Sequence, residues 1–447
     1  MASKIPSTLD EWLAYQGRVY PRAIELGLGR LAAVLERLRF RRPPVPVVSV
    51  AGTNGKGSVV ATCAAILSAA GHRVGAFSSP HLRDYRERIR LGERLVETEQ
   101  LLWAFERIER ARGEIGLTFF EYNTLAAFLI FEAAALDVWV LEIGMGGRLD
   151  AVNAIDPDAA VVVSIGFDHQ EFLGSTLAEI GREKAGIFRA GRAAVLGSRS
   201  LPPVIAETAL QIGARIKRIG GEFDYRREGA AWHYRGPHWD LPGLPPSALR
   251  GEAQYDNAAT AIAALEEIAP PLAVPPAAVA AGLLAVRLAG RFQVLFADDP
   301  MRPAWILDVA HNQDAARILA RNLRALPARG RTLAVCGVLA DKDAAALVAE
   351  LAGDIDAWWF ASTDGERGQS GAALAARVAP FLAAPAIAAG AVPAACEAAL
   401  AAASRGDRIV VFGSFHIVGP ALDWLQSKGL LPGETASAYT AAPRSIG

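Results

Sequence analysis

Residues 51–58 read Ala51-Gly52-Thr53-Asn54-Gly55-Lys56-Gly57-Ser58, between a β-branched run, VPVVSVA (45–51), and a helix-like stretch that reaches Ala70 and stops at Gly71. A glycine-rich turn from a strand into a helix N-terminus aims backbone N–H groups at one point, where a phosphate can be received. Glycines let the backbone approach an anion, and Lys56 adds a point charge for the terminal phosphates. Gly55, Lys56, Gly57 and Ser58 are therefore candidate contacts to a nucleoside triphosphate. The spacing departs from the general phosphate loop: Gly52 stands three residues before Gly55 rather than five, and Gly57 separates Lys56 from Ser58. A glycine-rich turn without a ligand is the competing reading.

Other reactive side chains follow predicted strands. Glu142 finishes the apolar run DVWVLEI (137–143), where an unpaired buried carboxylate is costly and a cation or basic partner is expected. Ser79 follows RVGAFS (73–78), and a carboxylate with a hydroxyl suits magnesium, which prefers oxygen ligands and keeps several waters. His169 follows AAVVVSI (159–165). Imidazole is an unusual magnesium ligand, and a hydrogen-bonded core histidine is the alternative. Lys184, in Arg182-Glu183-Lys184-Ala185-Gly186, reads by itself as a surface helix lysine. Asn257 in YDNAAT, Arg291 in GRFQ, and Asp308 and His311 in DVAHN are each explained singly by helix-start or capping roles.

Positioning these groups falls to alternating strands and helices, the pattern of parallel βαβ units. The runs at 45–51, 73–78, 137–143 and 159–165 suit one N-terminal sheet covered on both faces. Such a sheet brings Glu142 and His169 to one edge beside the phosphate loop, where open α/β sheets bind ligands. Residues 214–250 change to short mixed segments with Gly and Pro, read as a small antiparallel subdomain. A second α/β series has strands at WILDVA (305–310), RTLAVCGV (331–338), DAWWFAS (356–362) and RIVVFGS (408–414). The boundary is expected in 293–304, giving domains 1–293 and 294–447, and the alanine-rich tract 371–403 reads as ordinary helices.

Composition narrows the function classes. With 447 residues, 52% apolar, 21% charged and a formal net charge of -1, the chain is neither a disordered polymer nor a basic nucleic-acid binder. Cys63, Cys336 and Cys396 lack any metal or redox spacing, which points to a reducing cytoplasm. The N-terminus MASKIPSTLDEW carries acidic residues where a secretion signal places its apolar core. The uncharged stretch 378–396 is broken by Pro380, Pro385, Gly390 and Pro393, which argues against a membrane span.

In order along the chain, these stretches resemble the folylpolyglutamate synthase and dihydrofolate synthase family of Mur-type ligases. GTNGKGS (52–58) is similar to the family's phosphate loop. Ser78-Ser79-Pro80-His81-Leu82 with Arg86-Glu87-Arg88-Ile89, EIGMGGRLDAVN (142–153), SIGFDHQEFLG (164–174), GREKAGIFR (181–189), DVAHN (308–312) and GSFH (413–416) are similar to its successive signatures. The resemblance covers most of the chain and is weakest at 190–250 and after about 420.

It implies an α/β fold with a P-loop Mur-ligase-like N-terminal domain and a smaller Rossmann-like C-terminal domain, ATP lying between them. It also implies ATP-dependent ligation of L-glutamate to dihydropteroate and to the glutamate tail of reduced folates through an acyl phosphate. Ser79 and Glu142 are implied for one magnesium ion and His169 for a second, with Lys184 carbamylated to help hold it. A monovalent cation is left open. Carbamylation needs a neutral amine, which burial or a neighbouring cation such as Arg182 favours. Lys56, Lys184 and His169 are the implied catalytic groups, and Asn257, Arg291, Asp308, Val309, Ala310 and His311 join the loop in binding ATP. For the pteridine substrate, Glu25, Leu26, Gly27 and Leu28, then Thr118, Phe119, Phe120 and Glu121, then Leu149, Asp150 and Ala151 match family contacts. Val152 stands where the family commonly carries threonine. The expected protein is a cytoplasmic monomer without nucleic-acid or membrane partners. The rivals are a folylpolyglutamate synthase without the dihydropteroate activity, a cell-wall Mur ligase, against which Leu26-Gly27-Leu28-Gly29-Arg30 speaks, and a non-catalytic P-loop nucleotide sensor.

Overall fold

The computed structural model describes residues 6–431 except 21, 23, 270, 271, 298, 300 and 327. The first five residues, part of the stretch read above for a secretion signal, lie outside that set. The chain divides into two compact units. The first comprises residues up to Pro80, Arg86–Ala248 and Tyr255–Val286, and the second takes His81–Tyr85, Leu249–Gln254 and the chain from Arg287.

The first unit is organised by an eight-stranded sheet. Its strands in chain order are β1 (Val47–Ala51), β2 (Val74–Phe77), β3 (Ile89–Leu91), β4 (Arg94–Leu95), β5 (Val138–Glu142), β6 (Ala159–Val162), β7 (Ala193–Leu196) and β8 (Arg215–Arg218). The spatial order is β4-β3-β2-β5-β1-β6-β7-β8. From β2 to β8 every pairing is parallel, whereas β3 runs antiparallel to β2 and β4 to β3. β1, β2, β5 and β6 are buried throughout, as a sheet covered on both faces requires.

The helices place the loops. Thr8 and Glu11 form a capping box that starts α1 (Leu9–Val19), and Leu28 precedes α2 (Gly29–Arg37). α3 (Lys56–Ala69) follows the glycine-rich turn and carries the buried, free Cys63. Next come α4 (Thr98–Arg112) and α5 (Phe119–Ala133), the latter capped by Thr118 and Glu121. The short α6 (Gln170–Leu173) and α7 (Leu177–Ala185) complete this part. α3 has no polar face. Val59, Val60, Cys63, Ile66 and Leu67 are all buried, and the helix Pro276–Ala285 lies so close that a Cβ on Gly282 would stand 2.4 Å from Ile66 Cα.

Residues 214–250 divide between two sheets. β8 is the parallel edge strand of the main sheet rather than part of a separate flap, because Ala194 and Leu196 continue the ladder onto it. β9 (Asp224–Glu228), β10 (Ala231–Arg235) and β11 (Asp240–Leu244) form the antiparallel subdomain, in order β11-β10-β9. Trp232 and Tyr234 seat it in the core, where Glu266 accepts the Tyr234 hydroxyl at 2.7 Å and the Trp239 N–H at 2.5 Å.

The second unit has a six-stranded sheet of β12 (Gln293–Leu295), β13 (Ala304–Asp308), β14 (Thr332–Cys336), β15 (Ala357–Ala361), β16 (Ala386–Gly390) and β17 (Arg408–Phe412), ordered β12-β13-β17-β14-β15-β16. β12 is antiparallel to β13 and the rest are parallel. The four strands read from the sequence occupy β13, β14, β15 and β17. β16 corrects the helical reading of 371–403: between helices Gly371–Val378 and Val392–Ala402, Ala386–Gly390 pairs with β15. Ladder hydrogen bonds on the open side of β15 outweigh alanine's helix preference over this short stretch bounded by Pro385 and Gly390. Cys336 and Cys396 are free and buried here. Among the described residues no helix is long and apolar enough to cross a membrane.

Gly282→Ala is expected to lower unfolding stability by about 1–3 kcal/mol through overpacking against α3. Gly17→Ala, exposed in α1 with nothing within 4 Å of the added methyl, should raise it by about 0.5–1 kcal/mol. Urea titrations of both variants check this. Equal midpoints would show that the close approach carries no energetic weight.

Candidate active site

β1 lies between β5 and β6, and the chain leaves it through Gly52 at φ +155° and Gly55 at φ +87°. A side chain at Gly55 would be both strained and obstructed, its Cβ 2.8 Å from Asn257 Oδ1 and 2.8 Å from Val163 Cγ1. Asn257 is thus brought to the loop by the helix Ala253–Ile268. Gly55 at the N-cap position supplies no side-chain cap and the first turn of α3 holds no acidic residue, so the positive end of the helix is not neutralised by its own first turn. Lys56 belongs to the helix rather than to the turn before it. It opens α3, is half-buried, and donates back to Gly52 O at 3.0 Å and Thr53 O at 3.3 Å.

Lys184 arrives at the same carbonyl from α7. It is 4% exposed and its Nζ donates to Gly52 O at 2.9 Å. Burial, and then the Lys56 ammonium, push its amine down to about 7 against the pull of Asp168 and Asp150. The neighbouring cation is therefore Lys56, whereas Arg182 is exposed. Close packing explains the burial: a Cβ on Gly147 would stand 2.6 Å from Glu183 O, and Arg148 N–H donates to that oxygen at 2.8 Å. Asp150 is also enclosed. Burial raises its carboxyl to about 7 although the N–H groups of Met145, Val152 and Gly144 favour the anion.

Ser79 and Glu142 come together because β2 and β5 are neighbours. Glu142 is 5% exposed and its Oε2 accepts the Ser79 N–H at 3.2 Å. The backbone contact brings Ser79, which carries a hydroxyl, and the buried Glu142 carboxylate together at the sheet edge. His169 follows β6 with left-handed backbone at φ 51° and accepts no role as a core histidine, since its side chain is 28% exposed. Its N–H donates to Asp168 Oδ1 at 3.0 Å.

The three candidate substrate segments also converge. Gly27 N–H donates to Leu149 O at 3.1 Å, joining residues 25–28 to 149–151. Arg30 pairs with Glu25, and its Nη2 lies 3.1 Å from Glu121 Oε1. Phe120 packs with Phe77 at 6.0 Å between ring centroids and fills the space a Cβ on Gly144 would need. Arg88 lies over Phe119 at 5.5 Å. Leu26, Leu28, Phe119 and Phe120 remain half-exposed, while Ala151 is buried. In the second unit, Asp308 accepts Phe292 and Ala310 N–H, each at 2.8 Å, and burial raises its carboxyl against Arg291. His311 Nδ1 lies 2.9 Å from Val309 O, and Arg291 lies over the Phe415 ring at 5.1 Å.

Residues 50–197 match the Mur ligase middle domain and residues 290–415 the Mur ligase glutamate ligase domain. The chain is 41% identical over 423 residues to the dihydrofolate synthase/folylpolyglutamate synthase of Escherichia coli (strain K12), covering 94% of this chain and 96% of that protein. The chain belongs to the dihydrofolate synthase/folylpolyglutamate synthase family. Its fold is similar to E. coli FolC in complex with DHPP and ADP, at TM-score 0.89 and 40% identity, covering 95% of this chain and 99% of that one. It is also similar to a bifunctional folylpolyglutamate synthase/dihydrofolate synthase with Mn, AMPPNP and L-glutamate bound, at TM-score 0.86 and 40% identity, covering 95% and 100%.

In this dihydrofolate synthase/folylpolyglutamate synthase family member, Val152 leaves no gap in the loop's hydrogen bonding. Its side chain is buried and its N–H donates to Asp150 Oδ1 at 3.0 Å. Arg30 is named in the sequence only as the end of the run LGLGR (26–30); its link to Glu121, 91 positions away in the chain, has no local signal.

The Lys184 amine titrates near 7 in the fold and at its ordinary value of 10.5 when unfolded. Between those values the unfolded chain binds the proton that the folded chain refuses, so this lysine lowers stability as pH falls from 10.5 towards 7. In carbonate-free buffer, Lys184→Met is expected to be more stable than the parent at pH 7, the gap closing towards pH 10. Denaturant midpoints across that range test the sign, and a gap independent of pH would contradict it.

Proposed function

We propose that this chain joins L-glutamate to dihydropteroate and to the glutamate tail of reduced folates, with ATP consumed through an acyl phosphate. The observation that carries the chemistry is the meeting of Lys56, the α3 N-terminus, Lys184 and the Ser79–Glu142 pair at one sheet edge, on a chain of this family. Related crystal structures containing DHPP with ADP, and Mn, AMPPNP and L-glutamate, support the substrate classes. The pterin is assigned to the wall formed by residues 25–28, 118–121 and 149–151, whose half-exposed Phe119 and Phe120 suit a flat heterocycle.

A substrate carboxylate oxygen attacks the γ-phosphorus of ATP, forming one O–P bond and breaking the bond to ADP. The glutamate amine then attacks the acyl carbon, phosphate departs, and the amine loses its proton. Lys56 and the N–H groups of the first turn of α3 hold the charge that grows on the phosphoryl oxygens. No side-chain nucleophile takes part. Gly55, Gly57, Ser58 and Asn257 shape the loop, which in this arrangement has no room for a larger residue at position 55.

The residues present fit magnesium. Among the described residues no three His, Cys, Asp or Glu side chains cluster as a metal site, so Ser79 and Glu142 would rely on phosphate oxygens and water, as magnesium commonly does. When bound, magnesium supplies Lewis-acid neutralisation of the phosphates. His169 and a carbamylated Lys184 would hold the second ion. The buried Lys184 amine, with a value of about 7, is neutral in large part at pH 7.5–8. The neutral nitrogen can bond to carbon dioxide and release a proton, which turns an uncharged amine beside the Lys56 cation into an anion. We assign the chain to the cytoplasm as a monomer.

Purified protein supplied with ATP and labelled glutamate is expected to incorporate glutamate with dihydropteroate alone and with tetrahydrofolate alone. Use of only tetrahydrofolate would restrict the activity to folylpolyglutamate synthesis, and use of neither would return the cell-wall ligase reading. Lys56→Ala should lower kcat/KM by about 10²-fold or more while the unfolding midpoint holds. Near-parental turnover would remove Lys56 from the phosphate site. For Lys184, a bicarbonate-dependent ¹³C carbamate signal and about 44 Da of added mass are expected, absent in Lys184→Met. A plain amine in protein saturated with bicarbonate, magnesium and nucleotide would refute the modification.

A further inference from the structure

The parallel ladder between β1 and β6 does not stop where the strands do. Val163 N–H donates to Ala51 O at 2.9 Å and Thr53 N–H to Ser164 O at 2.8 Å, carrying the pairing into the phosphate loop. Two hydroxyls then take over. The Thr53 hydroxyl accepts the Gly166 N–H at 3.0 Å and donates to Gly166 O at 3.2 Å. The Ser164 hydroxyl accepts the Asn54 N–H at 2.9 Å and donates to Asn54 O at 2.9 Å. Each segment thus offers one side chain to the backbone N–H and C=O of the other, a reciprocal clasp in which both hydroxyls donate and accept.

The clasp stands where the loop most needs it. Gly52, Gly55 and Gly57 give residues 52–57 backbone freedom that must be lost before several N–H groups can face one phosphate together. Gly52 also permits the approach itself, since a Cβ there would stand 3.2 Å from Ser164 N. The other half of the clasp is the segment that runs through Asp168 to His169. Thr53 is 8% exposed, so its hydroxyl bonds are shielded from competing water.

We propose that Thr53 and Ser164 are positioning residues that hold the phosphate loop in its nucleotide-receiving shape and tie it to the His169 segment as one rigid piece. The inference rests on the nucleotide site proposed above. It requires no contact of either hydroxyl with substrate. A purely structural role for the same bonds would show as lost stability, whereas positioning shows as weakened nucleotide binding in a folded protein.

The test is ADP binding by calorimetry with magnesium present, alongside thermal unfolding, for Thr53→Val, Ser164→Ala, their double variant, and the hydroxyl-keeping Thr53→Ser. Parental protein that fails to bind ADP would overturn the nucleotide site itself, separately from the clasp. Given parental binding, Thr53→Val and Ser164→Ala are each expected to weaken ADP about tenfold, the weight of one or two hydrogen bonds. Unfolding midpoints should stay close to the parent's, and Thr53→Ser should bind as the parent does. The double variant should lose little more than either single change, because opening one half of the clasp frees the other. ADP affinity unchanged in both single variants would overturn the proposal, as would Thr53→Ser failing as Thr53→Val does. Where valine or alanine impairs folding, ATP KM and kcat in the Thr53→Ser and Ser164→Thr proteins decide: a raised KM at constant kcat in Ser164→Thr, with Thr53→Ser at parental values, places the effect in loop geometry, while parental constants in both variants, or a fall in kcat with KM unchanged, contradict it.

Discussion

β1 has its backbone groups engaged on both edges, by β5 on one side and β6 on the other, and its side chains are buried on both faces. A strand so enclosed can offer the solvent only its end. The side chains that follow β1, β2, β5 and β6 then collect where those strands finish together, and the first residue beyond β1 must be one that turns without a side chain. Gly52 meets that need, and its carbonyl becomes the point on which the surrounding charges are arranged.

Two ammonium groups share that carbonyl, Lys56 from α3 and Lys184 from α7. In a buried setting this is an unfavourable arrangement for two cations, and the strain falls on the more enclosed Lys184, which gives up its proton near neutrality. Asp150, held in the same interior by backbone N–H groups, also titrates near neutrality. Around Gly52, therefore, a buried amine and a buried carboxyl are both moved towards neutrality, each by burial before any neighbouring charge. A lysine that gives up its proton on folding lowers stability at pH below its ordinary value of 10.5, a cost this interior carries.

Much of this was legible in the sequence. The runs around β1, β2, β5 and β6 are short, apolar and rich in β-branched residues, and their ends carried Ser79, Glu142 and the glycine turn. β16 was hidden because Ala386, Ala388 and Ala389 carry no strand preference, and only pairing with β15 makes them one. β8 was placed in the subdomain because Arg215, Lys217 and Arg218 look like a solvated segment, yet Lys217 is balanced by Glu267 at 2.7 Å. The burial of Lys184 could not be read locally: what encloses it is Gly147 and Gly52, distant in the chain. The same holds for the Arg30–Glu121 pair and for Thr53 and Ser164, polar residues whose partners lie in segments distant in the chain.

The three thiols have a use unrelated to catalysis. Cys63 and Cys396 are pushed up to about 12 by burial, and Cys336 is raised for the same reason, so at neutral pH almost no thiolate forms while the fold is closed. An alkylating reagent can react only during moments of opening. Cys63 sits on α3, directly behind the phosphate loop, whereas Cys336 and Cys396 belong to the second unit. The chain thereby carries its own timers, one for the breathing of the loop's supporting helix and two for the other sheet, readable by the mass that alkylation adds.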